Sequence, residues 1–166
     1  MVNFKKRSIL VKGAVLFLGL ALLGCLLINF LQSDNSRFSD EGEVVIDHQL
    51  DLIWQSCAAG QLPPDCRSSA VRYQWTGAKD YCRDLILDGY SSWRLPTEGE
   101  LGSLFEYSRS GTGSISEFFL NNPTDYFWTA DQDHQGRATI VNFSDDQTET
   151  SYLDQYFYVR CVHGHF

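Results

Sequence analysis

Acidic residues are missing from the first 31 positions, and one long hydrophobic run near the start has no counterpart later in the chain. No Cys-x-x-Cys pair occurs, so the spacing most typical of a four-cysteine zinc site is lacking. No nucleophile-elbow motif accompanies the four histidines, His48, His134, His163 and His165. Basic residues become scarce after residue 31, where nine Lys and Arg face 21 Asp and Glu, a net charge of −12. Such a surface repels phosphate backbones and anionic headgroups, which excludes nucleic acid as a partner.

What is present bounds the chain to one globular domain plus an appendage: 166 residues, 43% apolar, 20% charged. Eleven Phe, eight Tyr and four Trp give a small domain large side chains from which to build a core.

The appendage is N-terminal. Lys5, Lys6, Arg7 and Lys12 precede an uncharged run from Gly13 to Leu31. As a helix that run spans about 28 Å, close to the hydrocarbon thickness of a bilayer. The basic flank places residues 1–12 in the cytoplasm and everything beyond Leu31 across the membrane. Three readings compete: an uncleaved signal anchor over 13–31, a lipoprotein signal in which Leu22-Leu23-Gly24-Cys25 acts as a lipobox and Cys25 is acylated, and an ordinary cleaved signal peptide. Hydrophobicity continues past Cys25, and cleavable apolar regions are shorter, which favours the anchor. No glutamate sits just inside the apolar run, as a prepilin-type leader needs. Residues 32–42 are polar and without periodicity, and read as a linker. The exported domain is then 43–166.

Four cysteines remain in that domain: Cys57, Cys66, Cys82 and Cys161. An even number outside the cytoplasm suggests two disulfides, with three connectivities open. The favoured one joins Cys57 to Cys66 around Leu62-Pro63-Pro64 and Cys82 to Cys161 between a helix and the last strand.

Coarse patterning gives Glu43–Asp47 and Leu50–Trp54 as a hairpin about His48-Gln49, then an irregular stretch over 55–74. Trp75, Ala78, Cys82 and Leu85 form one stripe of a helix running from Trp75 to Leu87, with Lys79, Asp80, Arg83 and Asp84 on its wet side. Gly89 stands where a stop is expected. Thr97 and Glu100 fit a capping box opening a second helix, with Leu101, Leu104 and Phe105 as its apolar stripe. Ser108–Ser114 reads as a flexible loop, and Phe118 to Leu120 as a helical turn. Tyr126–Ala130 and Ala138–Phe143 pair across 131–137, and Tyr156–Val162 is a final strand with Phe157, Val159 and Cys161 on one face. Strands, two helices, then strands argue an α+β fold with an antiparallel sheet.

In chain order the sequence carries Val45-Ile46-Asp47, Leu52-Ile53-Trp54, Trp75-Thr76-Gly77-Ala78, Tyr81-Cys82, Leu85, Gly89-Tyr90-Ser91-Ser92-Trp93-Arg94-Leu95-Pro96-Thr97, Glu100-Leu101, Tyr126-Phe127-Trp128 and Tyr158-Val159-Arg160-Cys161-Val162. Over about residues 43–162 this pattern resembles the Lcl C-terminal domain family of bacterial surface and envelope proteins, named after the Legionella collagen-like adhesin. The Trp-Arg-Leu-Pro-Thr block is its most specific piece. The chain departs from the family at Leu50-Asp51, where Thr-Gly is usual, so the turn type there is open. The resemblance implies a bacterial source and a C-type-lectin-like fold, related in architecture to the formylglycine-generating enzymes. It also implies a disulfide from the first helix to the last strand, in support of Cys82–Cys161. Characterised relatives are adhesin modules that bind sulfated polysaccharides and trimerise.

A non-catalytic binding module is therefore expected, with no cofactor. It is held in the bacterial inner membrane with its domain in the periplasm, or as a lipoprotein through Cys25. Its partner is a polysaccharide or an envelope protein, and homo-oligomers fit the family. A structural subunit of an envelope complex is the alternative, and an enzyme of the formylglycine-generating type comes third. Tyr126, Trp128, Tyr152 and Tyr156 are the candidate ligand-stacking aromatics; core packing competes for Trp128, as for Trp54, Trp75 and Trp93. Arg94 and Arg160 suit structural ion pairs or backbone contacts, with ligand contact as the other reading. Asp131 and Asp133 begin a stretch like half an EF-hand loop, but its twelfth position is Asn142 rather than a bidentate Glu, so a polar hairpin turn is the expectation and no metal is assigned. The Glu-Pro-Asn, Gln-Pro-Asp and Trp-Asn-Asp motifs of calcium-dependent lectins are absent.

Overall fold

The computed structural model describes residues 36–107 and 113–164. The expected cytoplasmic tail, the anchor over 13–31 and Cys25 lie outside the described residues. Among the described residues no helix is long and apolar enough to cross a membrane.

The domain is α+β, with two helices among small antiparallel sheets. The first sheet has strand order β1-β2-β3-β9, formed by β1 (Phe38–Asp40), β2 (Val44–Asp47), β3 (Leu52–Gln55) and β9 (Val162–His163). The second pairs β4 (Phe105–Tyr107) with β5 (Gly113–Ile115). The third is the meander β6 (Tyr126–Gln132), β7 (Ala138–Asn142) and β8 (Gln147–Ser151). Period-two alternation sends neighbouring residues into two different cores. Val45, Trp54, Phe127, Val141 and Val162 enter one, with Leu101 and Phe119. Val44, Trp128, Ile140 and Cys161 enter the other, with Trp75 and Trp93. Strands β2 and β7 are buried along nearly their whole length because both faces are covered.

The fold begins earlier than the linker expected over 32–42, since β1 lies inside that stretch. Phe38 is its one large apolar residue and is buried edge-on against Phe119. Arg37 reaches the wholly buried Asp47 carboxylate, with Nη2 at 2.6 Å from Oδ2 and Nε at 3.1 Å from Oδ1. Asp47 Oδ1 also accepts from the amides of Gln49 and Leu50, so one buried carboxylate ties β1 to the β2–β3 turn. That turn, residues 48–51, closes with Asp51 at φ 54°, a left-handed conformation that aspartate tolerates in place of glycine.

Helix α1 (Trp75–Asp84) buries Trp75, Ala78 and Cys82, three residues of the expected stripe. It ends before Leu87, because Leu85 turns extended at ψ 131°. Asp88 and Gly89, both with positive φ, then form a tight two-residue turn between Leu87 and Tyr90, whose amides and carbonyls exchange hydrogen bonds. Gly89 serves that turn instead of a helix stop. Helix α2 (Glu98–Gly102) carries the full capping box of Thr97 and Glu100. It is short because Phe105 leaves to pair with Ile115 in the β4–β5 ladder, and Leu104 is buried from the turn between them.

The last segment is not one continuous strand. Phe157 bridges Tyr73, Tyr158 bridges Phe127, and only Val162–His163 joins a sheet, beside β3. Between them Val159 and Cys161 accept from the amides of Ala59 and Gln55, so the segment runs through the centre of the domain and links its layers. Both disulfides form in the favoured pairing, Cys57–Cys66 across nine residues and Cys82–Cys161 across 79. In the chain-entropy picture the longer one contributes about 4–5 kcal/mol and the shorter about 2.5–3.

Candidate functional site

The four candidate aromatics occupy different environments. Trp128 has no exposed surface; its ring meets Phe157 edge-on at 4.8 Å and its Nε1 donates to Tyr73 O at 2.7 Å. It belongs to the core, as Trp54, Trp75 and Trp93 do. Tyr126 is half-buried against Phe157, and its hydroxyl donates to Glu149 Oε1 at 2.7 Å. That hydrogen bond pushes the phenol pKa up. Tyr152 and Tyr156 are 70% and 58% exposed and flank one turn, closed by Gln155 N donating to Tyr152 O. The turn is anchored from below on the start of α1: Trp75 N donates to Leu153 O, and Gln74 Nε2 donates to Asp154 O. The structure thus places Tyr152 and Tyr156 at the two ends of one turn, leaves Tyr126 on β6, and buries Trp128.

Of the two arginines singled out in the sequence, Arg94 is largely buried and Arg160 wholly so. Arg94 makes a bidentate pair with Glu100, 2.7 Å on each side, and also donates to Leu95 O and Gly164 O. Burial pushes the Glu100 carboxyl up, but the Arg94 hydrogen bonds and the Thr97 amide outweigh it and hold the group below the ordinary glutamate range. Arg160 is fully buried over the Phe119 ring and donates to Gln55 O, Ser56 O and Asn122 Oδ1. Burial lowers its pKa to about 9, which leaves the guanidinium charged at neutral pH.

The oxygens of Asp131 and Asp133 have other roles. Asp131 Oδ2 accepts from Glu98 N at the start of α2. Asp133 holds its own hairpin turn by accepting from Gln135 N, Arg137 N and Arg137 Nε. Among the described residues no three His, Cys, Asp or Glu side chains gather as metal ligands. His48 Nε2 lies 3.0 Å from Ser39 Oγ at the exposed edge of the first sheet. His163 bonds Ser91 O through Nδ1 and packs against Tyr90 and Trp93. Histidine 134 is exposed, and His165 lies outside the described residues.

Sequence reasoning placed Lys79, Asp80 and Arg83 on a wet helical face. The structure makes that face one wall of a cleft of about 450 Å³. Thr76, Lys79, Asp80 and Arg83 of α1 stand on one side, with Trp93, Arg94 and Leu95 of the extended link and Ala130 of β6 opposite. Lys79 Nζ sits 4.3 Å from the Trp75 ring centroid. Arg83 Nη1 lies 2.6 Å from Asp80 Oδ1, and Nε 2.9 Å from Asp84 Oδ1; Asp84 first, then Asp80, pushes the guanidinium pKa up. Three of the nine basic residues beyond position 31 thus line one cleft, although they are scattered along the chain. Helical spacing alone brings Thr76, Lys79, Asp80 and Arg83 together; the opposite wall depends on long-range packing that no local pattern encodes.

Neither a search of curated proteins nor one of solved structures finds a match to the chain. The family model described as the Lcl C-terminal domain matches residues 43–163, from the start of the β2–β3 hairpin to the end of β9. That span covers most of the chain and both disulfides, and the chain belongs to the Lcl C-terminal domain family.

Proposed function

We propose that this domain is a non-catalytic binding module of C-type-lectin-like type, carried outside the cytoplasm by the segment 13–31 and engaging a glycan or an envelope protein. The observation that carries the reading is the Tyr152–Tyr156 turn, where two exposed rings stand on a loop whose backbone is fixed to α1. Exposed aromatics on a rigid support give contact area at low entropic cost. Family membership supports an adhesin-associated role.

The test is binding of the full-length chain, extracted in detergent, to a glycan array and to envelope proteins. Tyr152→Ala combined with Tyr156→Ala is expected to weaken binding by about 2 kcal/mol, roughly thirtyfold, with an unchanged melting temperature. Unchanged binding in that variant would remove the tyrosines from the site. The tether has its own test in the intact mass of protein extracted from membranes. A full-length mass with Cys25 as the only free thiol supports the anchor. A mass that begins at an acylated Cys25 would replace it with a lipoprotein.

A further inference from the structure

We infer that the α1 cleft is a second binding site and that it takes a sugar acid: one carboxylate on a hydroxyl-bearing ring, not a polysulfated chain. The inference rests on the glycan form of the reading above but not on the tyrosines. Its first support is Lys79. This is the only lysine after residue 12, and among the described residues no carboxylate lies within ion-pair distance of it. Its ammonium lies over the Trp75 ring and its side chain lines the cleft, so it can meet an incoming anion without first breaking a salt bridge.

The second support is the pattern of its neighbours. Arg83 and Arg94 line the same cleft, but each is already faced by carboxylates, Arg83 by Asp80 and Asp84 and Arg94 by Glu100. They therefore offer paired polar edges rather than free positive charge. A sugar hydroxyl donates and accepts at once, so a carboxylate and a guanidinium held 2.6 Å apart suit a pair of adjacent hydroxyls. Thr76, one helical turn before Lys79, adds a hydroxyl to the same wall. The cleft volume falls within the range of small-ligand sites and suits one or two sugar rings. The acids bracketing the arginines oppose a ligand with several negative charges, which sets the preference for a single carboxylate.

The experiment is calorimetric titration of the full-length chain in detergent with glucuronate, glucose and acetate, at low salt. Glucuronate is expected to bind, and glucose and acetate to bind at least about tenfold more weakly, because each lacks half of the recognised chemistry. Lys79→Ala should weaken glucuronate by about tenfold while Lys79→Arg retains it, both with the parent melting temperature. Absence of glucuronate binding by the parent, equal binding of glucose or acetate, or undiminished binding by Lys79→Ala would each overturn the assignment. Glycan-array binding that depends on Tyr152 and Tyr156 while glucuronate is ignored would overturn the cleft alone; loss of both would overturn the module reading as well.

Discussion

Arg94 and Arg160 look alike in the sequence, each inside a short apolar block, yet they work differently. Arg160 joins its own segment to two others through neutral oxygens, at the end of β3 and on the turn after Phe119. Arg94 is half of a charged pair, and its partner Glu100 also accepts from Thr97 N to close the α2 cap. Glu100 has a lowered pKa in the folded state. Its contribution is therefore complete above the ordinary value of 4.5 and is lost as the pH falls through the lowered folded value. Glu100→Gln should reduce the melting temperature at pH 7, and the gap from the parent should shrink toward pH 3. A gap of equal size at both pH values would show that the charge on Glu100 is not what matters. Glu100 was legible as a capping residue from the Thr97 spacing, but its arginine was not, because five intervening residues conceal the contact.

Elements with a strong period were readable, and those defined by partners were not. The α1 stripe and the capping box follow from local chemistry, as does pairing of Tyr126–Ala130 with Ala138–Phe143. Strand β8 consists of Gln-Thr-Glu-Thr-Ser and has no apolar face; it exists because the turn after Asn142 folds it back onto β7. That turn is held by the Asn142 side chain, which accepts from Ser144 N and Oγ. Strand β1 was hidden for the same reason, since Phe38 stands alone among polar residues. The family match starts at residue 43, yet the element that pairs with β2 starts at Phe38. Truncation to Glu43–Phe166 removes Phe38 and leaves the buried Asp47 carboxylate without Arg37. The expected loss is about 3 kcal/mol or more relative to a chain starting at Ser36, measured by urea unfolding. Equal midpoints for the two chains would mean that β1 adds nothing to the fold.

At the scale of the whole molecule, charge separates this chain from what its family resemblance suggests. Relatives that hold sulfated polysaccharides need a continuous positive track, because each neutralised sulfate or phosphate adds to affinity through released counterions. Here the segment from residue 32 onward carries −12, and the α1 cleft has Asp80, Asp84 and Glu100 against its arginines. A long polyanion lying in that cleft would extend along a domain of strongly negative net charge on leaving it. At physiological ionic strength the screening length is about 8 Å, so the local lysine cannot offset repulsion farther along such a chain. A chain starting at Ser36, which lacks the basic residues at positions 5–12, is therefore expected to pass a heparin column unretained at about 0.15 M salt. Retention that weakens steeply as salt rises would show a positive track that the charge distribution does not contain, and would shift the ligand class from a single sugar carboxylate to a polyanion.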